Sequence, residues 1–175
     1  GVEFIPGIYG NEPPVVANKN VIMVDFSYKR PVLEAMLQSG DANQAMSILI
    51  LDHHKTAAAD LASLKFPEEN YDPATWRRKW ESWCEWPVRA IFDMERSGAQ
   101  IAWDYFFEGE ERPQFIDFIG DRDLWKFQYG DITRRFSAAL RTYPMTFEAW
   151  DHIADDPESL VHEGAGILRA HNANI

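Results

Sequence analysis

A single cysteine, Cys84, stands in 175 residues. No internal disulfide can form, so packing and hydrogen bonds must hold the fold, as suits a reducing compartment. No apolar run approaches the roughly 20 residues that a membrane span requires; the longest, Ser47-Ile48-Leu49-Ile50-Leu51, is strand-sized. No basic segment followed by an apolar one opens the chain, so no secretory leader is read and a cytoplasmic location is expected. Positive charge is scarce: 17 Lys and Arg face 28 Asp and Glu, a net charge of -11. That balance excludes broad binding to duplex nucleic acid, which depends on basic surface and counterion release. Internal repeats and low-complexity segments are also absent.

What is present is a hydrophobic share of 46% with interspersed charge, enough for one globular domain over residues 1–175. Val2 to Ile5 reads as a strand running into the turn-rich Pro6-Gly7. Val21 to Val24 reads as a second strand, apolar on both faces as in a buried parallel sheet. From Pro31 the apolar residues Val32, Leu33, Met36 and Leu37 fall at helical spacing, with Gly40 as the stop. Ile48 to Leu51 is the next strand and Lys55 to Leu64 an Ala-rich helix. Strand, helix, strand, helix in this order indicates a βαβ crossover and an α/β fold with a parallel sheet flanked by helices. Residues 66–87 look like a helical insertion bounded by prolines, and Val88 to Phe92 is a further strand. The C-terminal part reads as helical: Ser97 to Phe107, Pro113 to Gly120, Ile132 to Tyr143, Phe147 to Ile153 and Glu158 to Ala170.

Ligands of open α/β sheets bind at the carboxyl ends of the strands. Two strands here end in metal-capable groups: Val21 to Val24 delivers Asp25, and Ile48 to Leu51 delivers Asp52, His53 and His54. Taken singly, Asp25 could be a helix cap or a strand-end turn, and His53-His54 an ordinary entry to the helix at Lys55. Two imidazoles and an acid directly after a fully apolar strand serve packing poorly. They can supply a metal ligand, a phosphate contact and a carboxylate that orients an imidazole. Mixed carboxylate and imidazole donors suit manganese, iron, cobalt or zinc better than calcium.

The run Val21-Ile22-Met23-Val24-Asp25, followed by Leu49-Ile50-Leu51-Asp52-His53-His54, resembles the second and third motifs of the DHH phosphoesterase superfamily. Phe118-Ile119-Gly120-Asp121-Arg122-Asp123-Leu124-Trp125 is similar to the fourth, an aspartate in a turn after a helix with an aromatic residue shortly beyond. The resemblance covers about residues 1–130, and Asp-His-His is its most specific part. It implies the N-terminal DHH domain and hydrolysis of a phosphodiester or phosphoanhydride by a metal-activated water. By the same resemblance Asp25, His53 and Asp121 hold the metal, manganese first among candidates, and Asp52 orients an imidazole. His54 and Arg122 contact substrate phosphate. Asp123 is the rival to Asp121, with pairing to Arg122 or Lys126 as its structural use. The implied partner is a phosphorylated small molecule or a short oligonucleotide.

The chain departs from the family pattern in two places. The first motif, an Asp-x-Asp loop, should precede Asp25, yet residues 1–24 contain only Glu3 and Glu12 as acids and no histidine. The family's second domain, with its Gly-rich, His-containing substrate motif, is not matched either; Glu163-Gly164-Ala165-Gly166 lies in a helical pattern. The sequence therefore reads as a fragment whose uncovered sheet edge favours self-association into a homo-oligomer, with poor turnover by itself. A noncatalytic DHH-like binding or assembly module is the alternative function. Two further features carry two readings each. Trp76, Trp80 and Trp83 share a helical face beside Arg77, Arg78 and Lys79, which suits packing of an inserted helix or base stacking. Ser97-Gly98 suits either plain N-capping or a phosphate cradle.

Overall fold

Three parallel strands, β1 (Asn20–Val24), β2 (Ser47–Asp52) and β3 (Val88–Phe92), form one sheet in the order β1-β2-β3 in the computed structural model. The structure describes residues 1–37, 44–62 and 88–173. Seven helices accompany the strands among these residues: α1 (Arg30–Met36), α2 (Lys55–Asp60), α3 (Gly98–Phe106), α4 (Gln114–Asp123), α5 (Asp131–Leu140), α6 (Phe147–Asp155) and α7 (Pro157–Asn172). None is long and apolar enough to cross a membrane. The class is α/β with a parallel sheet, as the alternation of patterns indicates. The expected insertion at 66–87, with its Trp76, Trp80 and Trp83 face, lies outside the described residues, as do Gly40 and Leu64.

The chain divides into two compact units, residues 1–108 and 109–175. The second comprises α4 to α7. In the first unit, β2 is central and covered on both sides, which is why its sequence is uninterrupted Ile and Leu. Ile48 and Ile50 face a core with Leu33 and Met36 of α1, Leu61, Val88 and Ala90. Leu49 and Leu51 face the opposite core with Ile91 and with Ile101 and Tyr105 of α3.

Two expectations from the sequence do not hold. Residues 2–5 form no strand: Val2 and Phe4 are 84% and 71% exposed, and strand propensity without a hydrogen-bonded neighbour does not make a strand. β1 is not buried on both faces. Met23 enters the core, but Ile22 and Val24 are 48% and 41% exposed, because β1 pairs on one side only among the described residues and α3 lies over the centre of the sheet.

The second unit is a helical cluster around Phe118, Phe136, Ala139, Ile153 and Leu160. Its helix starts follow local capping chemistry. The Thr146 hydroxyl accepts from Ala149 N ahead of α6, and the Asp156 carboxylate accepts from Ser159 N ahead of α7, where Pro157 occupies the first helical position. α7 approaches α5 closely at Gly164. A Cβ there would lie 2.9 Å from the Cα of Arg135 in α5 and would overlap its carbonyl.

This contact separates two glycines of one helix. Gly164→Ala should lower stability by at least about 2 kcal/mol through overpacking. Gly166→Ala, whose Cβ would meet only the tip of the Arg169 side chain at 3.7 Å, should raise it by about 0.5–1 kcal/mol from helix propensity. Urea melts of the two variants beside the parent protein measure both.

Candidate metal centre

The site is built at the carboxyl edge of the sheet, because parallel pairing carries β1 and β2 to the same end. Val24 is in register with Leu51, and the ladder continues one step further as Asp25 N donates to Leu51 O at 2.9 Å. Asp25 and Asp52 thus leave neighbouring strands side by side. Asp25 turns out of the strand with φ 56°, a left-handed conformation that costs a non-glycine residue about 1–2 kcal/mol.

The first residue of α3 is pressed against that turn. A Cβ on Gly98 would sit 2.8 Å from the Asp25 Cα and overlap its side chain, so only glycine lets the helix start here. Ser97 is nearly fully buried and caps the helix: its hydroxyl accepts from Gln100 N, while the Gln100 side chain accepts from Ser97 N. Arg96 pairs with Asp93 at 2.7 Å and Asp104 at 2.6 Å. Of the two uses open to Ser97-Gly98, the geometry fills the capping one.

Asp52 is fully buried, and a buried carboxylate needs hydrogen-bond donors to offset lost hydration. Its Oδ1 accepts from His53 N at 2.8 Å and His54 N at 3.3 Å, and lies 2.6 Å from His54 Nδ1. Its Oδ2 has no hydrogen-bond partner among the described residues. A carboxylate oxygen accepts, so His54 Nδ1 is the donor in this contact. Asp52 therefore orients the His54 imidazole.

His53, with its side chain 13% exposed, brings Nε2 to 3.0 Å from Asp25 Oδ1. The two imidazole rings lie 4.7 Å apart. One donor atom each from Asp25, His53 and His54 falls within 4.8 Å of the others. Two ligands on opposite sides of one cation stand roughly 4–4.5 Å apart, so small side-chain movements would let these three donors share an ion. The set fits a divalent cation of the borderline class.

Tyr9 flanks this edge, a neighbour with no sequence signal because it lies in an irregular segment. Its ring meets Phe26 at a centroid distance of 4.7 Å. Partial burial and the negative charges of Asp52 and Asp25 raise the phenol above its ordinary pKa, against a lowering backbone hydrogen bond at Ser27. The sequence marks Ser97-Gly98 as a cap or phosphate cradle but carries no signal for the contact of Gly98 with Asp25, since a helix glycine reveals its neighbour only in three dimensions.

Asp121 and Arg122 belong to the second unit and have identifiable partners there. Asp121 lies inside the last turn of α4, not in a turn after it, and is 5% exposed. Its Oδ1 accepts from Gln128 N at 2.7 Å, and its Oδ2 accepts from Tyr129 N at 3.3 Å and from the Thr133 hydroxyl. Arg122 stacks on Trp125, 4.3 Å from the ring centroid. Asp123 ends α4.

No family model matches the chain, and no solved structure matches it. The chain is 31% identical over 141 residues to an uncharacterized protein of Acanthamoeba polyphaga mimivirus, a match that takes in 81% of this chain and 27% of that protein. The chain thus spans about a quarter of the length of the curated relative it matches.

The fit of Gly98 against Asp25 is directly testable. Gly98→Ala should displace the Asp25 turn and lower stability by at least about 2 kcal/mol through overpacking, as measured by urea melts. Ser97→Ala removes only the cap and should cost about 1 kcal/mol.

Proposed function

We propose that the Asp25, His53 and His54 cluster holds a divalent cation, manganese first, and that the chain belongs to a DHH-type phosphohydrolase acting on a phosphodiester or phosphoanhydride. The observation that supports this most is the convergence of a carboxylate and two imidazoles from the ends of two adjacent parallel strands. A cation in that place would supply Lewis acidity toward a phosphoryl oxygen and lower the pKa of a bound water.

The protein's own groups divide the remaining work. Asp25 and His53 are the primary donors. His54, held by Asp52, offers Nε2 either as a third donor or, once protonated, as a hydrogen-bond donor to phosphate. The acidity of the edge attracts cations and repels free phosphate, so phosphate affinity should depend on the metal. Short RNA, cyclic dinucleotides, nucleotides and polyphosphates all fit that chemistry.

A second reading, a cation-holding module without turnover, draws on one observation. Asp121, assigned to the metal by the resemblance, accepts three hydrogen bonds inside its own unit. As a ligand, Asp121→Asn should weaken manganese binding; as a loop anchor, it should lower the melting temperature and leave manganese affinity unchanged.

Manganese is expected to raise the melting temperature by mass action on the folded state. His53→Ala and Asp25→Asn should each abolish most of that rise and weaken binding at least tenfold. Inorganic phosphate should bind the manganese-loaded protein and not the metal-free one. A manganese affinity that ignores His53→Ala removes this reading. Tight manganese binding without hydrolysis of any phosphoester class selects the module.

A further inference from the structure

The loop between α4 and α5 is strained and firmly anchored at the same time. Trp125 and Phe127 have φ of 55° and 48°, and Gly130 has φ 57°. Two large aromatic residues in the left-handed region are costly and persist only where surroundings impose the conformation. Asp121 imposes it. Besides the three bonds to its carboxylate, its backbone carbonyl accepts from Lys126 N at 3.1 Å and Phe127 N at 3.4 Å.

The result is an ordered display of aromatic and cationic groups. Arg122 stacks on Trp125 and lies 5.5 Å from the Phe127 centroid, and Arg134 of α5 covers Phe127 at 4.5 Å. Trp125 and Phe127 meet edge to face at 5.6 Å. Trp125 is nevertheless 70% exposed, so its burial is not what the strain secures. Neither Arg122 nor Arg134 pairs with a carboxylate among the described residues. In a chain of net charge -11, two guanidiniums that rest on aromatic rings and lie beside an exposed indole offer positive charge outside any ion pair among the described residues.

We propose that Trp125, Arg122 and Arg134 form a stacking site for single-stranded nucleic acid, with a base on the Trp125 face and a backbone phosphate at Arg134. Base-aromatic stacking tolerates any sequence, and an arginine beside the stack adds cation-π and phosphate contacts. An acidic protein segment would satisfy the guanidiniums but leave the indole without a planar partner, which is why a nucleic acid fits better. The inference rests on the second unit alone and does not require the metal reading.

The test is fluorescence anisotropy of a labelled twelve-residue deoxyadenosine oligonucleotide, titrated with the full chain in EDTA so that the metal site cannot contribute. Trp125→Ala should weaken binding at least about fivefold and Trp125→Phe much less. Both should keep the parent melting temperature, since the side chain is exposed. Arg134→Gln should lower the slope of log affinity against log salt by about 0.7, the value for one phosphate contact on a single strand. No binding by the parent chain, or equal binding by a folded Trp125→Ala variant, overturns the proposal. Trp125-dependent binding of polyglutamate in place of the oligonucleotide overturns it in favour of a protein partner.

Discussion

Parallel pairing of β1 with β2 is the constraint from which the site follows. β2 is buried on both faces, with Ile48 and Ile50 turned to one core and Leu49 and Leu51 to the other. A slip of one residue would exchange those faces, so the register is held by packing on two sides. With Val24 opposite Leu51, Asp25 and the Asp52-His53-His54 run must emerge at the same edge. The left-handed turn at Asp25 and the bare backbone at Gly98 are local consequences of bringing a strand end and a helix start so close.

Two buried carboxylates solve similar problems in the two units. Asp52 gathers the backbone N–H groups of His53 and His54 and the His54 ring. Asp121 gathers Gln128, Tyr129 and Thr133. Hydrogen bonds to an ionised acceptor are stronger than neutral ones, and each carboxylate fixes a short irregular segment that regular structure would not hold. What the segments present differs. One displays imidazoles beside another carboxylate, and the other an indole beside guanidiniums.

Electrostatics accounts for that division. A net charge of -11 attracts cations and disfavours anions over most of the surface. Four other arginines among the described residues are held in ion pairs: Arg30 with Glu34, Arg96 with Asp93 and Asp104, Arg112 with Asp117 and Arg135 with Asp131. Arg122 and Arg134 rest on aromatic rings instead.

The pattern of residues by itself determined the α/β class, β2 and β3, the cap at Ser97 and the position of the Asp52-His53-His54 run after a buried strand. These depend on local periodicity and capping chemistry, which neighbours in sequence carry. The tertiary structure alone decided that residues 2–5 form no strand and that Ile22 and Val24 remain exposed, because both outcomes turn on which segments lie alongside. It also brought His54 beside Asp25 and His53, with Asp52 against its ring, and gave the Asp121 carboxylate backbone donors from residues seven and eight positions later. Gly98 and Tyr9 were illegible for the same reason: what each one touches is set by chain crossings, and composition or spacing around them carries no trace of it.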